Sequence, residues 1–175
     1  MKNSPLKNMY PLALFKDEEF DFVCEFIYNA TKCSGFNQEG CSYIKKGIKE
    51  VLRCFGLRFK PSRISEKAFN SAEWSKIKKD LNDDLFKKWY RNRTKYYPLF
   101  LEHIIPLGSL IEKCNECKSL EEVKNVLSEL EFVIISKKEN DELIKKDYNS
   151  KGRETLKNAE NAYKDCKIKL MPIEK

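Results

Sequence analysis

The sequence predicts an α+β fold that is predominantly α-helical. Apolar residues recur at helical spacing in EEFDFVCEFIYNATK, residues 18–32, and in CSYIKKGIKEVLRCFG, residues 41–56. Two short apolar runs, residues 99–107 and 131–136, have the length and composition typical of strands. The chain has 175 residues, of which 41% are hydrophobic, so it is long enough to bury a core of its own.

The first part of the chain is predicted to be helical and basic. Asp17 is a suitable N-cap for the first helix, and Gly56 is a natural stop for the second. A basic linker at residues 57–65 is interrupted by Pro61, and residues 71–97 then form one long helix or two shorter ones joined near Asn82. We expect a helical region at residues 1–97 and a second region at residues 98–175. They form one compact domain, or a helical lobe beside a smaller one.

The second region alternates between strands and helices. Two short helices, residues 109–118 and 119–130, separate the strand at 99–107 from the strand at 131–136. Ser119 and Ser136 each precede a glutamate by three residues, which is the capping-box pattern of a helix N-terminus. The second strand should therefore pass directly into a helix. A further helix is predicted within residues 154–166, with Tyr163 as its anchor in the core.

Positive charge is unevenly distributed along the chain. The formal net charge is +7, and the segment at residues 87–97 contains five basic residues, four aromatic residues and no acidic residue. The basic residues are Lys87, Lys88, Arg91, Arg93 and Lys95. Because lysine and arginine neutralise phosphates and aromatic rings stack on unpaired bases, the segment predicts contact with nucleic acid. The competing interpretation is a solvated helix whose aromatic residues face the core.

Other patterns bear on location and on metals. No apolar run approaches the roughly 20 residues needed to cross a bilayer, and the N-terminus lacks the pattern of a signal peptide, so we expect a cytoplasmic protein without a membrane partner. The seven cysteines lack the spacing of a disulfide framework and are expected to be reduced. Cys114 and Cys117 have the CxxC spacing that suits zinc or a redox pair. They fall in a predicted helix without a second CxxC, so a plain helix is the preferred interpretation.

Glu102 and His103 are the candidate metal-binding and catalytic residues. His103 is the single histidine of the chain, and with an ordinary pKa of about 6.5 its neutral imidazole can act as a base. The Glu102 carboxylate offers the hard oxygen that Mg²⁺ or Mn²⁺ prefers. Adjacent residues on a regular strand point to opposite faces, so the two converge only if the strand bends or ends there. Asn140 or Glu139, in the first turn of the following helix, would supply a second ligand.

The order LEHIIPL and then FVIISKKENDEL resembles the HNH, or ββα-metal, nuclease superfamily, in HNH-like proteins with a (D/E)HIxPL motif. The resemblance covers residues 99–143 and implies a small two-stranded ββα-metal-like element with a helical insert. It also implies a metal-dependent endonuclease that hydrolyses phosphodiester bonds in DNA with Mg²⁺ or Mn²⁺. In that scheme His103 is the general base, Glu102 is a metal ligand, and Asn140 is the helix-borne ligand.

Two other classes of function fit the same sequence. One is a non-catalytic nucleic-acid- or protein-binding helical module in which His103 is structural. The other is a helical interaction protein in which the aromatic residues at 89–97 form a buried packing face. The choice between DNA and RNA, sequence preference, oligomeric state and a pathway such as restriction or defence are left open.

Overall fold

The computed structural model describes residues 17–33, 36, 42–56, 61–77, 98–149 and 151–173. These ranges contain eight helices and a small mixed sheet, so the prediction of a mainly helical α+β fold is confirmed. In chain order the elements are α1 (Asp17–Lys32), α2 (Ser42–Gly56), β1 (Arg63–Ser65), α3 (Glu66–Phe69), α4 (Ala72–Ile77), β2 (Leu99–His103), α5 (Leu107–Glu116), α6 (Leu120–Leu127), β3 (Phe132–Ser136), α7 (Lys137–Lys145), α8 (Leu156–Asp165) and β4 (Leu170–Pro172).

The sheet has the strand order β2-β3-β1-β4. Strands β2 and β3 are antiparallel, with Leu99 opposite Ser136 and His103 opposite Phe132. Strand β1 is parallel to β3 and antiparallel to β4. The two predicted strands therefore pair, but they belong to a four-stranded sheet and do not form a separate two-stranded element. Strand β1 comes from the basic linker and β4 from the last described residues, and both are only three residues long.

Strand β2 is shorter than predicted, because it ends at His103 and not at Leu107. The amide of Ile104 still donates to the carbonyl of Glu131 at 3.0 Å, so the chain leaves the ladder only after the histidine. Pro106 is then the N-cap residue of α5, and the buried Leu107 opens that helix. The apolar run after His103 is buried in the core, which explains why its composition resembles a strand.

The pleat of β2 and β3 divides their side chains between two apolar layers. On one face, Leu101 and Phe132 pack in the cluster formed by α1, α2, α5 and α6. On the other face, Phe100 and Val133 pack in the cluster that contains Tyr163 of α8 and buried residues of α7. Residues that are adjacent in β2 therefore face different layers of the protein.

The helical insert between β2 and β3 is part of the main core. Helices α5 and α6 share one apolar cluster with α1 and α2, including residues such as Ile27, Leu52 and Leu110 that are fully buried. Lys124 of α6 also lies 2.7 Å from Asp21 of α1 in an ion pair. A strand pair can accommodate this long connection because the insert buries its apolar faces against the N-terminal helices.

The two serines that were predicted to form capping boxes, Ser119 and Ser136, are both N-cap residues of helices. The Ser136 side chain accepts from the amide of Glu139, and the Glu139 carboxylate accepts from the amide of Ser136, which completes the capping box of α7. At α6 the Ser119 side chain accepts from the amide of Glu122, but the Glu122 carboxylate accepts from the amide of Lys118. The second motif therefore forms half of the predicted box.

Candidate functional site around Glu102 and His103

Glu102 and His103 lie at the end of β2, on opposite faces of the sheet. Glu102 pairs with Val133, whose side chain belongs to the layer of α7 and α8. His103 pairs with Phe132, whose side chain belongs to the layer of α1, α2, α5 and α6. The strand keeps its register through both residues, so no bend brings the carboxylate and the imidazole together.

The Glu102 carboxylate is paired with a buried arginine that sequence analysis did not identify. Nη2 of Arg153 donates to Oε1 of Glu102 at 2.6 Å, and the Arg153 side chain is only 1% exposed. Burial raises the pKa of Glu102, and the Arg153 charge offsets part of that effect. Any cation bound by Glu102 would be held against the fixed positive charge of this guanidinium.

The remaining donors of Arg153 connect β2 to the C-terminal part of the chain. Nη1 donates to the backbone carbonyl of His103 at 3.1 Å and to the hydroxyl of Tyr163 at 3.2 Å. Nε donates to the backbone carbonyl of Tyr148. A buried guanidinium needs this many acceptors, because each unsatisfied donor in the interior is costly. The Glu102–Arg153 pair therefore has a structural role, because it joins β2 to the C-terminal part of the chain.

The His103 ring is packed in the opposite layer. Its centroid lies 4.5 Å from that of Phe132, with the two rings tilted by 48°. Nε2 is buried and has no hydrogen-bond partner among the described residues. Burial, followed by the positive charges of Arg53 and Arg153, lowers the pKa of His103 to about 4. The imidazole is thus neutral at pH 7 and is a weak base, and its Nε2 is sheltered from water.

The helix-borne candidates Asn140 and Glu139 begin at the other end of the strand pair. Helix α7 starts directly after Ser136, which pairs with Leu99, four residues before His103. Four strand residues span about 13 Å. Helix α7 packs on the layer of Glu102, so Asn140 lies on the opposite side of the sheet from the His103 ring. The structure does not bring Glu102, His103 and Asn140 together around one point.

Glu139 has a structural role that joins α7 to β1. Its side chain is 2% exposed, and Oε2 accepts from the Ser65 hydroxyl at 2.6 Å, the Ser136 hydroxyl at 2.8 Å and the Ser136 amide at 2.9 Å. The Ser65 hydroxyl also accepts from the amide of Ala68 and thereby caps α3. One carboxylate therefore fixes the N-termini of two helices at the same end of the sheet.

Glu102, which was predicted to bind Mg²⁺ or Mn²⁺, is paired with Arg153 and lies on the opposite face of the sheet from His103. Within the described ranges, no group of three or more His, Cys, Asp or Glu residues is arranged to hold a metal ion. Cys114 is buried in α5, where burial raises its pKa to about 12, and Cys117 follows as the C-cap residue of that helix. Cys114 therefore lies in a helix, as predicted, and Cys117 directly follows that helix.

The sequence around Arg153 predicts the local turn but does not indicate that the arginine is buried. It follows Gly152, whose φ of +74° favours glycine, and a Cβ at that position would lie 3.0 Å from the Tyr148 ring. Thr155 then caps α8. These features predict a tight turn before a helix, but nothing local indicates that the arginine enters the core. Tyr163, in contrast, is buried as predicted.

The predicted nucleic-acid-binding residues Lys87, Lys88, Arg91, Arg93 and Lys95 lie outside the described residues. Across the described part of the chain, no helix combines the length and the apolar character required to cross a membrane.

No family model, curated protein or solved structure matches the chain.

Proposed function

We propose that the protein is a nucleic-acid-binding module that does not cleave its ligand. The observation that carries this proposal is the segment at residues 87–97, in which five basic and four aromatic residues occur without an acidic residue. Basic side chains release counterions from phosphates, and aromatic rings stack on unpaired bases. This combination suits single strands or the junctions between paired and unpaired regions.

The surroundings of Glu102 and His103 support the non-catalytic part of the proposal. The Glu102 carboxylate accepts from a buried arginine, and the neutral His103 ring packs against Phe132 in the other layer. Hydrolysis of a phosphodiester needs a base with access to water and a cation near the same phosphate. Neither residue is positioned for these roles beside the other.

Binding can be tested by fluorescence anisotropy with labelled single-stranded and duplex oligonucleotides over a range of salt concentrations. The test variant replaces the five basic residues with Gln, namely Lys87, Lys88, Arg91, Arg93 and Lys95. On duplex DNA, the slope of log binding constant against log salt concentration should become less negative by up to about 4.5. The matched control replaces five exposed lysines elsewhere with Gln, namely Lys67, Lys76, Lys118, Lys138 and Lys145. Equal losses in both variants would assign binding to net charge and contradict the proposal.

A metal-dependent endonuclease is the second candidate. It is favoured by the order of β2, helical insert, β3 and α7, in which an acid-histidine pair ends the first strand and a capped helix follows the second. Nicking of supercoiled plasmid should be compared in Mg²⁺, Mn²⁺ and EDTA for the parent and His103→Ala. Divalent-dependent nicking that disappears in the variant would replace the binding-module proposal with this one.

A further inference from the structure

We propose that a basic groove between the end of α8 and β4 is a second contact for the phosphate backbone of a bound nucleic acid, an inference that rests on the proposed function. The groove has a volume of about 460 Å³. Its polar lining comprises Arg63, Lys164, Lys167 and Lys169, with Glu160 as the single acidic residue among the described residues that line it.

The pairing of these charges leaves two lysines uncompensated. The guanidinium of Arg63 donates to both carboxylate oxygens of Glu131, at 3.0 and 3.2 Å. Lys169 lies 3.4 Å from Glu66. Lys164 and Lys167 have no ion pair with any described residue. An anion entering the groove would therefore meet positive charge without having to displace a carboxylate from these two lysines.

The turn after α8 presents its basic residues in a defined arrangement. Lys167 has a φ of +56°, which is uncommon for a residue other than glycine. The turn is closed by the amide of Lys167, which donates to the carbonyl of Lys164 at 2.9 Å, and by the amide of Ile168, which donates to the carbonyl of Tyr163 at 2.7 Å. Ile168 and Tyr163 are buried beneath it. The backbone that carries Lys164 and Lys167 is thus anchored to the core.

The chemistry of the lining favours phosphate over bases. Tyr163 is the aromatic residue of the groove, but it is only 2% exposed and its hydroxyl contacts Arg153, so its ring face is not available for stacking. Lysine acts as a compact point charge and does not read a planar edge as arginine does. The groove should therefore contribute affinity without sequence preference.

The groove lies at the end of the sheet where strand β2 begins. Strand β2 begins at Leu99, directly after residues 87–97, and Leu99 is level with Ser136 at the end of β3. Strand β4 begins at Leu170, which pairs with Ser65 at the end of β1. Because β1 and β3 are parallel, both starts lie at one end of the sheet, three strand spacings or about 14 Å apart.

The experiment measures anisotropy with two 24-base-pair duplexes of unrelated sequence and with a 24-nucleotide single strand, for the parent, Lys164→Gln/Lys167→Gln, and the charge-matched control Lys118→Gln/Lys145→Gln. All four lysines are exposed, and circular dichroism checks that each variant is folded. In the groove variant, we expect the slope of log binding constant against log salt concentration to become less negative by about 1.8 on both duplexes. The control variant should keep the parent's slope within about 0.5.

The outcomes separate the two proposals. If the parent binds and the groove variant keeps the parent's slope, the groove inference is overturned while the proposed function stands. A parent that binds neither duplex nor single strands overturns both. A loss seen with one duplex only would overturn the sequence-independent role. Binding to vesicles containing anionic lipid, without binding to either duplex, would assign the groove to a membrane surface instead.

Discussion

Replacing Arg153 with Met is expected to destabilise the protein strongly. Arg153 is 1% exposed, and its Nη2 lies 2.6 Å from the Glu102 carboxylate, whose side chain is 21% exposed. Removing one partner leaves a largely buried charge without its counter-ion, and such changes cost about 3–5 kcal/mol. For a chain of this size, that free energy corresponds to a fall in Tm of roughly 6–20 °C. Urea unfolding followed by circular dichroism gives the free energy of unfolding directly.

The double variant Arg153→Met/Glu102→Leu provides the control. Replacing both charges with apolar groups removes the uncompensated carboxylate, so its cost should be at least about 2 kcal/mol smaller than the sum of the two single changes. A decrease of less than about 1 kcal/mol in the free energy of unfolding of Arg153→Met would refute the structural role of the Glu102–Arg153 pair. The same role would be refuted if the destabilisation of the double variant equalled the sum of the two single changes. Additivity would mean that the two side chains do not interact.

Three further predictions concern neighbouring features. The pKa of His103 is lowered to about 4 in the folded state, so the unfolded chain binds a proton more readily between pH 6.5 and pH 4. The contribution of His103 to the free energy of unfolding is therefore fully present above pH 6.5. It decreases by up to about 3 kcal/mol as the pH falls toward 4. His103→Phe should remove that dependence, seen as a smaller difference between unfolding free energies at pH 7 and pH 4.5 than in the parent. Ser65→Ala should cost about 1–3 kcal/mol in urea unfolding, because the buried Glu139 loses a donor, whereas the exposed Ser75→Ala should cost less than about 0.5 kcal/mol. In alkylation at pH 8 followed by mass spectrometry, the exposed Cys33 should react while Cys114 is protected; equal labelling in folded protein would contradict the burial of Cys114.

The sequence predicted the elements whose signals are local. The capping box at Ser136 depends on residues within one turn, and it correctly placed the strand-to-helix joint. Helix α1 followed from the spacing of Phe20, Cys24 and Ile27, all of which are buried. These patterns report which face of an element is apolar, and one apolar face is enough to predict a helix.

The strands β1 and β4 could not be predicted in the same way. Each is three residues long, and β1 follows Pro61 within a basic linker. Their stability comes from pairing with residues distant in sequence, such as Arg63 with Val133 and with Pro172. The Arg153 contact with Glu102 has the same origin, because the partners are 51 residues apart. Contacts of this kind leave no periodic pattern in the sequence.

Glu102 and His103 are adjacent in sequence but lie on opposite faces of the sheet, and Glu102 is held by Arg153. For Glu102 to bind a metal ion through Oε1, its pair with Arg153 would have to open, at a cost of about 3–5 kcal/mol. Each 1.4 kcal/mol lowers the population of the competent state tenfold, so that state would be reduced by a factor of roughly 10² to 10⁴. His103 would also have to leave its packing against Phe132 to reach the same face. An endonuclease built on these two residues would need a ligand that binds the opened arrangement with at least the same free energy. Mg²⁺ or Mn²⁺ would then shift the urea midpoint of the parent and leave that of Glu102→Gln unchanged. The non-catalytic proposal predicts that neither ion shifts either midpoint.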